Sequence, residues 1–577
     1  MAISDIGYNV FTFESYPAEI KGGHCWFQVR ASNEEVLSAG SAVDVLCAFN
    51  QEGIDKHLNM VRPGGVVIYD PGQVKEIPEK PDLAVYAIEF DALVKEKVGS
   101  LKAKNVFAVS CFAALYDVPN DSVKRTMRKK FAGKNPALLD KNDEAVDAAY
   151  THIATLDRRH DETLAVGEQD DDRMMINGNQ AIALGALVAG VDLYAGYPIT
   201  PASSILETLA VEMPKLGKTC VQMEDEMAAL SACIGGSFAG KKTMTATSGP
   251  GLSLMQELLG LASTAELPVV IANAQRGGPS TGLPTKPEQS DLNMMVYGSH
   301  GEASRIVLAP TGVKDCFYQT IWAFNMAEKY QVPVIIATDH ALANRTENIV
   351  LPSLEDTPIM TRAFATDAEL ADKYARYRFT ESGVSPIAIP GMKGGMHVAE
   401  GLEHNEFGHP TYTGENHTAM IEKRLGKISD AWQYPMAMER FGDEHPDVLV
   451  VAWGSTKGPV KEAVTRLIEE GKKVGYIVPK ILCPLPKEGF LDIIQEAPEV
   501  VVVEANFTGQ LEGILRKETV RSYHRLNKVM GSPVSWLEVV EKVDAILSGT
   551  DKNSKRAGEE ADHDAKVTAK NKKEETA

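Results

Sequence analysis

The sequence predicts a multi-domain α/β protein built from doubly wound sheets. Short apolar runs of strand length alternate with segments of helical periodicity along most of the chain, a pattern typical of βα units. At 577 residues, the chain is longer than one hydrophobic core usually supports. Polar stretches also interrupt the alternation where domain boundaries would lie. We therefore expect about three or four domains in sequence.

Residues 1–155 are predicted to form the first α/β domain. Polar residues, glycines and prolines separate its apolar runs, which suits the strands of a mostly parallel sheet. These runs are GYNVFTF, CWFQVRA, VDVLCAF, GGVVIYD, LAVYAIEF and VFAVSCF. Residues 156–173 are polar and acidic, and we interpret them as a linker.

Residues 174–349 predict a second domain with a doubly wound sheet. A helix of small residues, NGNQAIALGALVAG, precedes a strand in VDLYAGYPITP, and more strand-like runs follow. They are TCVQM, KKTMTATSGPG, ELPVVIANAQRGG, SRIVLAP and VPVIIATDHAL. In such a sheet, ligands bind at the carboxyl ends of the strands.

The rest of the chain predicts three further segments. Residues 350–440, rich in Gly, Pro and His, show little periodicity and are interpreted as a connecting segment. Residues 441–547 predict another α/β domain, with strands DVLVVAWG, KVGYIVPK and EVVVVEAN and the amphipathic helix GPVKEAVTRLIEEGKK. Residues 548–577 have almost no large apolar side chain, and we expect them to be disordered.

Composition and charge narrow the classes of function. A formal net charge of -20 disfavours binding to nucleic acid or to an anionic membrane. No window approaches the roughly 18 apolar residues of a membrane span, and the N-terminus lacks the pattern of a signal peptide. The seven cysteines are scattered without a CxxC pair, so no zinc or iron–sulfur ligand set is local in the sequence. We expect a cytoplasmic protein, with any redox centre on another chain.

The loop GYPITPASS follows a predicted strand and places Thr200 between Pro198 and Pro201. The two prolines stiffen the loop, so the threonine hydroxyl could donate a well-placed hydrogen bond to a substrate oxygen. The alternative is an ordinary strand-to-helix turn, with Pro201 at the first helical position and Ser203 or Ser204 near the cap.

Three acidic residues, Glu224, Asp225 and Glu226, stand where a predicted helix begins. Carboxylates in a first helical turn stabilise the helix dipole and need no chemistry, which suffices for Glu224 and Asp225. Glu226, however, is followed by small apolar residues that would let a flat ring approach closely. A carboxyl group in such surroundings suits proton sharing with a heterocycle nitrogen.

Two further stretches carry candidate binding residues. In TATSGPGL, Gly249 and Gly251 form a turn that could permit close approach of a ligand. Arg276 ends a predicted strand and could grip a carboxylate with two hydrogen bonds, the alternative being a surface or interdomain salt bridge.

Four histidines of the connecting segment do not predict a metal site. Their spacing, with Glu403 and Glu406 nearby, matches neither HExxH nor another compact ligand pattern. We expect them to be loop residues that make hydrogen bonds. The four are His397, His404, His409 and His417.

Together, these stretches resemble the alpha subunits of 2-oxoacid:ferredoxin oxidoreductases, in the form that carries a gamma domain ahead of the alpha part. The resemblance runs from residue 7 to residue 547 and preserves the order of the motifs. The motifs are FTFESYPAEIKGGHCWFQVRAS for the gamma domain; GNQAIALGALVAG, GYPITPAS, EDEMAALSACIGGSFAG, TATSGPGLSLMQE and QRGGPSTGLPTKPEQSDL; YRFTESGVSPIAIPGMKGGMHVAEGLEH of the 2-oxoglutarate type; and DVLVVAWGSTKG with EANFTGQLEGILR.

The resemblance implies a role for each domain. Residues 1–155 would be the gamma domain, residues 174–349 a pyrimidine-type domain that binds thiamine diphosphate, and residues 441–547 a transketolase C-terminal-like domain. The implied reaction is oxidative decarboxylation of 2-oxoglutarate with coenzyme A to succinyl-CoA and carbon dioxide, with electrons passed to ferredoxin; the reverse reaction is also open.

The resemblance also implies roles for the candidate residues. Glu226 falls at the position of the family glutamate that hydrogen-bonds the aminopyrimidine ring of thiamine diphosphate and promotes deprotonation of the thiazolium carbon. Pro198 and Gly249 would contact the cofactor as well. Thr200 and Arg276 fall at the positions that hold the carboxylate end of the substrate.

Two departures from the family pattern imply a partner and a shortened domain. The sequence has no GDG followed by an Asn pair and no cluster cysteines; both normally reside on the beta subunit, which would hold the magnesium ion and the iron–sulfur cluster. We therefore expect a heterodimer or a dimer of heterodimers, inactive without beta. The gamma domain usually begins with a strand, a Gly-rich turn and a helix, whereas only MAISDI precedes GYNVFTF here. We expect that strand and turn to be missing, either because the domain is shortened or because the start of the chain has been placed too late.

Three alternatives stay open. The same chemistry could act on pyruvate or on branched-chain 2-oxoacids, because substrate range also depends on the beta chain. The chain could instead be a non-catalytic assembly subunit, although retention of Thr200, Glu226 and Arg276 disfavours that interpretation. A nucleotide-binding synthetase is disfavoured because the sequence lacks a GxxxxGK[ST] loop.

Overall fold

The computed structural model describes residues 1–18, 22–167, 172–355, 357–371, 373–519 and 521–551. The chain divides into two compact units, Met1–Met175 and Ile176–Ala577. Most of the tail that the sequence predicts to be disordered, residues 552–577, lies outside the described residues. The predicted domain boundaries within the second unit stay predictions.

The first unit contains a parallel sheet, an antiparallel strand pair and five α-helices within its described part. The three parallel strands have the order β3-β4-β5, and β1 pairs with β2 antiparallel, with Asn9 opposite Ser32. The elements are β1 (Asn9–Ser15), β2 (Trp26–Ser32), β3 (Val43–Ala48), α1 (Gln51–His57), β4 (Val61–Tyr69), β5 (Ala84–Ala87), α2 (Phe90–Lys97), α3 (Lys104–Leu115), α4 (Asn120–Lys130) and α5 (Pro136–Ile153).

Two predictions for the first unit are wrong. The run VFAVSCF lies inside helix α3 and is not a strand. A short, continuously apolar run fits a buried helix as well as a buried strand, and α3 is buried on most sides, with Phe107 and Cys111 fully covered. The first two strands also form an antiparallel pair instead of joining a mostly parallel sheet.

The second unit, with the strand that leads into it, contains the remaining strands and helices of the described residues. They are β6 (Arg173–Asn177), α6 (Gly178–Val188), β7 (Leu193–Gly196), α7 (Ser203–Glu212), β8 (Thr219–Gln222), α8 (Glu226–Phe238), β9 (Thr243–Thr247), α9 (Gly249–Leu254), α10 (Gln256–Thr264), β10 (Val269–Gln275), α11 (Leu292–Tyr297), β11 (Ile306–Leu308), α12 (Val313–Tyr330), β12 (Pro333–Asp339), α13 (His340–Asn344), β13 (Thr346–Val350), α14 (Asp367–Ala371), α15 (Gly414–Gly426), β14 (Met438–Gly442), β15 (Val448–Ala452), α16 (Lys457–Glu469), β16 (Val474–Pro479), β17 (Ile481–Cys483), α17 (Asp492–Glu496), β18 (Glu499–Glu504), α18 (Gln510–Thr519), β19 (His524–Asn527) and α19 (Trp536–Leu547).

A seven-stranded sheet of order β17-β11-β12-β10-β9-β7-β8 forms the centre of this unit. Its strands are parallel except β17, which runs antiparallel to β11. Each strand predicted for residues 174–349 is present. The chain runs from β7 outward to β8 and then returns to β9 on the other side of β7. Such a reversal opens a crevice at the carboxyl ends of the two inner strands, which is where ligands bind in doubly wound sheets.

A five-stranded sheet of order β14-β16-β15-β18-β19 follows in the same unit. Its three predicted strands and the amphipathic helix α16 are confirmed, and α16 buries Val460, Val464 and Leu467. Apolar side chains of both sheets, among them Ile271 and Val451, belong to one buried cluster, so the two sheets share a core. In the part of the chain that the structure describes, no helix has the length and apolarity needed to cross a membrane.

Candidate active site

Four loops that follow neighbouring strands converge on the crevice of the seven-stranded sheet. They follow β7, β8, β9 and β10, which lie side by side in parallel, so their carboxyl ends share one edge. The candidate residues of the second unit lie on these loops or at the helix starts that follow them. The fold therefore brings together segments that are separated by up to about eighty residues in the sequence.

The three consecutive acidic residues have three different environments. Glu224 is exposed, whereas Asp225 caps α8 by accepting a hydrogen bond from the Ala228 amide at 2.7 Å. Glu226 is the first residue of α8 and is only 7% exposed. Asp225 is thus a helix-start residue without need of chemistry, as predicted, and its specific role is that of the cap. A buried carboxyl group that does not cap its helix calls for another explanation.

Glu226 lies in a recess that depends on a glycine. A Cβ atom at Gly251 would stand 2.7 Å from Oε1 of Glu226 and 2.1 Å from Oγ1 of Thr247, so only glycine leaves the carboxyl group its room. The Glu226 carboxylate accepts no hydrogen bond from any described residue. It is therefore a buried acceptor whose oxygens are available to a ligand.

Arg276 and Thr200 are brought together, as the resemblance implies. Arg276 directly follows β10, and its Nη1 donates to the carbonyl oxygen of Thr200 at 2.7 Å. Its Nη2 donates to the carbonyl oxygen of Thr281 at 3.1 Å, while the buried Nε has no partner among the described residues. The contact uses the backbone of Thr200, which leaves the predicted use of its hydroxyl as a prediction.

The charge of Arg276 is buried, and no carboxylate of the described residues forms an ion pair with it. The side chain is only 7% exposed, and Asp291 acts on its charge without such a contact. Burial lowers the pKa of Arg276, which reports the cost of keeping this cation away from water. A carboxylate ligand would remove that cost and satisfy the unpaired nitrogen.

The loop around Thr200 differs in one respect from the alternative interpretation. The Thr200–Pro201 peptide bond is cis, and α7 begins at Ser203, so Pro201 does not occupy the first helical position. The side-chain amide of Asn179 instead fixes the turn by donating to the Pro201 carbonyl oxygen at 2.7 Å. Pro198 is exposed, and its predicted contact with the cofactor stays a prediction.

Gly249 lies against an acid that sequence reasoning missed. A Cβ atom at Gly249 would stand 2.9 Å from both carboxylate oxygens of Asp291, so the group that approaches this glycine within the chain is Asp291. Asp291 Oδ2 also accepts a hydrogen bond from Nδ2 of Asn273 at 3.1 Å. The glycine turn between a strand and a helix is confirmed, whereas contact of Gly249 with a ligand stays a prediction.

The Asp291 carboxyl group interacts electrostatically with Arg276. Burial raises the pKa of Asp291 to about 6; Glu288 acts in the same direction, while Asn273 and Arg276 oppose the shift. The sequence does contain a sign of this buried acid, because the buried polar residues Asn273 and Gln275 alternate with alanines in the strand segment ANAQ. Both contact Asp291: Nδ2 of Asn273 donates to its carboxylate, and Oε1 of Gln275 accepts a hydrogen bond from its backbone amide at 3.0 Å.

His397 and His404 are loop residues that make hydrogen bonds, as expected, whereas His417 makes one from helix α15. Nδ1 of His397 and Nδ1 of His404 each lie 2.9 Å from a backbone carbonyl oxygen, and Nδ1 of His417 lies 2.6 Å from Glu403. Across the described ranges, no group of three or more His, Cys, Asp or Glu side chains is arranged to hold a metal ion.

The residues present fit the pyrimidine half of thiamine diphosphate. The aminopyrimidine ring is flat and needs a carboxyl group at one ring nitrogen, and Glu226 offers a buried carboxylate without a partner beside a glycine that keeps the space open. The fit concerns this half alone.

Three family descriptions match successive parts of the chain. Residues 1–152 match "pyruvate ferredoxin/flavodoxin oxidoreductase", residues 184–423 match "pyruvate flavodoxin/ferredoxin oxidoreductase, thiamine diP-bdg", and residues 446–540 match "pyruvate:ferredoxin oxidoreductase core domain II". The thiamine-binding match contains Glu226, Gly251 and Arg276.

Relatives of nearly the same length are found in both sequence and structure. The chain is 33% identical to "2-oxoglutarate oxidoreductase subunit KorA" of Mycobacterium tuberculosis, over 94% of the chain and 88% of that relative. It is 30% identical to "2-oxoacid:ferredoxin oxidoreductase 2, subunit alpha" of Aeropyrum pernix, over 94% of both. A solved structure, "2-oxoglutarate:ferredoxin oxidoreductase from Magnetococcus marinus with 2-oxoglutarate, coenzyme A and succinyl-CoA bound", superposes with a TM-score of 0.89 at 39% identity and covers 94% of this chain and 95% of that one.

Proposed function

The chain belongs to the 2-oxoacid:ferredoxin oxidoreductase family, and we propose that it is the alpha subunit of a member that acts on 2-oxoglutarate. The reaction is oxidative decarboxylation, with coenzyme A taking the acyl group to give succinyl-CoA and ferredoxin taking the electrons. The relative from Mycobacterium tuberculosis is named for 2-oxoglutarate, and the Magnetococcus marinus structure contains 2-oxoglutarate and coenzyme A. A cytoplasmic location is part of the same proposal.

The observation that carries the proposal is the buried, unpaired cation of Arg276. A 2-oxoacid presents a carboxylate beside its reactive carbonyl group, and a guanidinium binds such a carboxylate with parallel hydrogen bonds. Arg276 already donates to the Thr200 loop, so its position is fixed before substrate binds. A substrate carboxylate held there would leave its carbonyl carbon oriented within the crevice.

Glu226 acts as the acid–base group of this chain. When bound, thiamine diphosphate would supply the carbon nucleophile and the electron sink that decarboxylation of a 2-oxoacid requires. Glu226 would hold the aminopyrimidine ring by a hydrogen bond to one of its nitrogens and so fix the tautomer of that ring. The recess at Gly251 keeps this carboxyl group in place and limits access of water.

We assign the remaining parts of the site to a beta subunit. The sequence lacks the GDG-type motif for magnesium and diphosphate as well as clustered cysteines, so those groups belong on the partner in this proposal. Relatives named as alpha subunits support the existence of such a partner. The assembly is a heterodimer or a dimer of heterodimers, with ferredoxin as a transient partner.

The test is a substrate panel with the reconstituted complex. This chain and its beta subunit are copurified, and coenzyme A-dependent reduction of a viologen is measured with 2-oxoglutarate, pyruvate and a branched-chain 2-oxoacid. We expect the highest kcat/KM with 2-oxoglutarate and no turnover by the alpha chain alone. A clear preference for pyruvate or for a branched-chain acid would overturn the substrate assignment and leave the reaction type.

A variant at the acid–base residue tests the mechanism. Glu226→Gln is expected to lower kcat by about a hundredfold to ten-thousandfold, the range typical of a lost general acid–base group. The matched control is Glu224→Gln, an exposed acid of the same run, which should keep normal activity. Normal turnover by Glu226→Ala in an assembled complex would show that this residue is not catalytic.

A further inference from the structure

The five-stranded sheet of the second unit has a crevice of its own, at the carboxyl ends of β15 and β18. From β15 the chain passes through α16 to β16 on one side and then returns to β18 on the other side, and all three strands are parallel. A reversal of this kind opens the crevice in which doubly wound sheets bind their ligands. Here the crevice is occupied by Gln289, which comes from the segment between Arg276 and α11.

Gln289 is hydrogen-bonded through all of its polar groups. Its side-chain Oε1 accepts from the Ala505 amide at 3.0 Å, and its Nε2 donates to the carbonyl oxygen of Trp453 at 2.9 Å. Its backbone amide donates to the Ala505 carbonyl oxygen at 2.7 Å, and its carbonyl oxygen accepts from Nδ2 of Asn506 at 3.1 Å. Trp453 directly follows β15, and Ala505 directly follows β18. Because one strand end needs a donor and the other an acceptor, the fully buried side-chain amide fits in a single orientation.

The crevice is shaped for this glutamine. A Cβ atom at Gly454 would stand 2.7 Å from Nε2 of Gln289, and Gly454 also has a φ of +57°, so both space and backbone favour glycine there. Two further hydrogen bonds extend the contact. Nε2 of Gln510 in α18 donates to the Ser290 carbonyl oxygen at 2.7 Å, and its Oε1 accepts from the Asn293 amide at 2.9 Å. The place that a ligand takes in other doubly wound sheets is thus taken by a segment of the chain itself.

The anchored segment also forms part of the candidate active site. Upstream of the anchor, the Gly277 amide donates to the Lys286 carbonyl oxygen at 3.0 Å, which folds the segment back on itself. Within this fold, the carbonyl oxygen of Thr281 accepts a hydrogen bond from Nη2 of Arg276 at 3.1 Å. Downstream of the anchor, the Asp291 carboxylate accepts a hydrogen bond from β10. Arg276 is therefore supported by a loop whose own support lies in the other sheet.

We propose that Gln289 is a positioning residue for the substrate-binding arginine. This inference rests on the proposed function, because it assumes that Arg276 holds the carboxylate of a 2-oxoacid. Gln289 itself acts through the loop, whose Thr281 carbonyl oxygen orients the guanidinium. The five-stranded sheet thereby acts on substrate binding through a glutamine that fills its ligand crevice.

Gln289→Met tests the anchor, because methionine keeps the length of the side chain but cannot donate to Trp453. In the complex with beta, we expect KM for the preferred 2-oxoacid to rise by about tenfold to a hundredfold, with kcat much less affected, because a displaced guanidinium weakens binding before the reaction begins. In the full alpha chain, hydrogen exchange of residues 277–291 should become faster. A merely structural role would reduce the amount of active complex and leave KM unchanged.

Gln319→Met is the matched control for the glutamine. Gln319 in α12 is equally buried, and its Oε1 accepts a hydrogen bond from the Tyr434 hydroxyl at 2.9 Å, but neither residue belongs to the anchored segment. This variant should keep the KM of the unchanged complex and the exchange pattern of residues 277–291.

Gly454→Ala tests the same anchor from the side of the five-stranded sheet. The new methyl group would overlap Nε2 of Gln289, so the glutamine must leave its position, and we expect the same rise in KM and the same faster exchange. Gly471→Ala is the control, because Gly471 also has a positive φ of +81° while a Cβ there meets nothing within 4 Å. The control should keep the KM of the unchanged complex.

Failure of the inference differs from failure of the proposed function. An unchanged complex that turns over no 2-oxoacid would overturn the proposed function and with it the role in substrate binding, and hydrogen exchange would then decide the anchor alone. With an active complex, an unchanged KM in both Gln289→Met and Gly454→Ala would overturn the inference and leave the proposed function. Faster exchange without a change in KM would also overturn it, because the loop would then be anchored without positioning Arg276.

Discussion

At the scale of single residues, burial separates side chains that the sequence presents as equivalent. Glu224, Asp225 and Glu226 are consecutive acids, yet one is exposed, one caps a helix and one is buried without a partner. The start of the helix explains part of this, because α8 begins at Glu226, while Asp225 is its extended cap and Glu224 precedes the cap. Only Glu226 combines burial with an unused acceptor, which is the property that acid–base chemistry requires.

Gly251 should be as sensitive to substitution as the catalytic acid. In Gly251→Ala, the new methyl group would overlap Oγ1 of Thr247 and Oε1 of Glu226, so the Glu226 carboxyl group must move. A displacement of about 1 Å at a catalytic group costs on the order of a hundredfold in turnover, which is the expected loss in viologen reduction by the complex. Gly260→Ala in α10, where a Cβ meets nothing within 4 Å, is the matched control and should retain activity.

Asp291→Asn should stabilise the chain in a pH-dependent manner. Burial raises the folded-state pKa of Asp291 from 3.8 to about 6, so ionisation costs stability, and this cost grows as the pH rises through that interval. The amide cannot ionise, so the variant should be more stable near neutral pH by about 1 to 2 kcal/mol after solvent screening, with the gain shrinking toward acid pH. Chemical denaturation of both proteins between about pH 5 and pH 8 measures the difference. A gain that is constant across this range would show that Asp291 titrates normally.

The candidate site could be predicted from the sequence only where each of two contacting residues lies in a recognised motif. Arg276 and Thr200 lie on separate motifs of one recognised set, and their contact follows the expectation. Asp291 could not be found in this way, because its importance comes from Gly249, which is forty-two positions earlier and becomes its neighbour only when β9 and β10 pair. Its position before α11 instead suggests a helix cap, although its side chain caps nothing.

At the scale of secondary-structure elements, period and length decided which predictions succeeded. The six strands of the seven-stranded sheet that lie within residues 174–349 are short and bounded by turns, and each was recognisable, whereas the three-residue strand β17 was not predicted. The run VFAVSCF is as apolar as these strands but lies in a helix of twelve residues. This helix is buried on most of its faces, so its sequence lacks the polar stripe that normally marks a helix. Apolarity alone cannot separate these two cases.

The small residues of α6 should matter because of close packing against α12. A Cβ atom at Gly185 would lie 2.5 Å from the carbonyl oxygen of Phe317 and 2.9 Å from Cβ of Thr320. Gly185→Ala must therefore push the two helices apart, and we expect a loss of about 1 to 3 kcal/mol in the free energy of unfolding, measured by denaturant titration.

Gly235→Ala in α8 is the matched control for that substitution. A Cβ atom there meets nothing within 4 Å, so the change should leave stability unchanged or raise it by up to about 1 kcal/mol, as expected when a helical glycine is replaced without a clash. If the Gly185 variant were as stable as this control, close contact between α6 and α12 would not be the reason for the glycine.

At the scale of the second unit, a buried ionic cluster attaches the connecting segment to the seven-stranded sheet. Glu266, between α10 and β10, pairs at 2.5 Å with Lys423 of α15 and at 2.8 Å with Lys427, which follows the last residue of that helix. Its carbonyl oxygen also accepts a hydrogen bond from Nη2 of Arg376 at 2.8 Å. The sequence could not reveal this cluster, because Glu266 is more than one hundred positions away from each of its three partners.

Glu266→Gln should strongly lower the free energy of unfolding of the chain. Although burial opposes ionisation, the two lysines hold the pKa of Glu266 well below its usual range, so the carboxylate is charged in the folded state. The substitution leaves two buried ammonium groups without a carboxylate, and breaking such a pair costs about 3 to 5 kcal/mol. Glu144→Gln, which breaks the exposed pair with Lys141, is the control and should leave the denaturation midpoint nearly unchanged.

The pH dependence of this variant separates lost charge pairing from lost packing. Burial lowers the folded-state pKa of Lys427 to about 8, and removing Glu266 takes away the attraction that opposes this shift. In the variant, the folded-state pKa of Lys427 therefore lies further below its unfolded-state pKa. Keeping Lys427 protonated then costs stability, and this cost disappears as the pH rises through the folded-state pKa. The destabilisation by Glu266→Gln should therefore diminish in denaturant titrations as the pH is raised to about 8, the folded-state pKa of Lys427 in the unchanged chain, and stay constant above it. A deficit that stays constant with pH would instead mean that Glu266 acts through its shape, and that the connecting segment is fastened by packing alone.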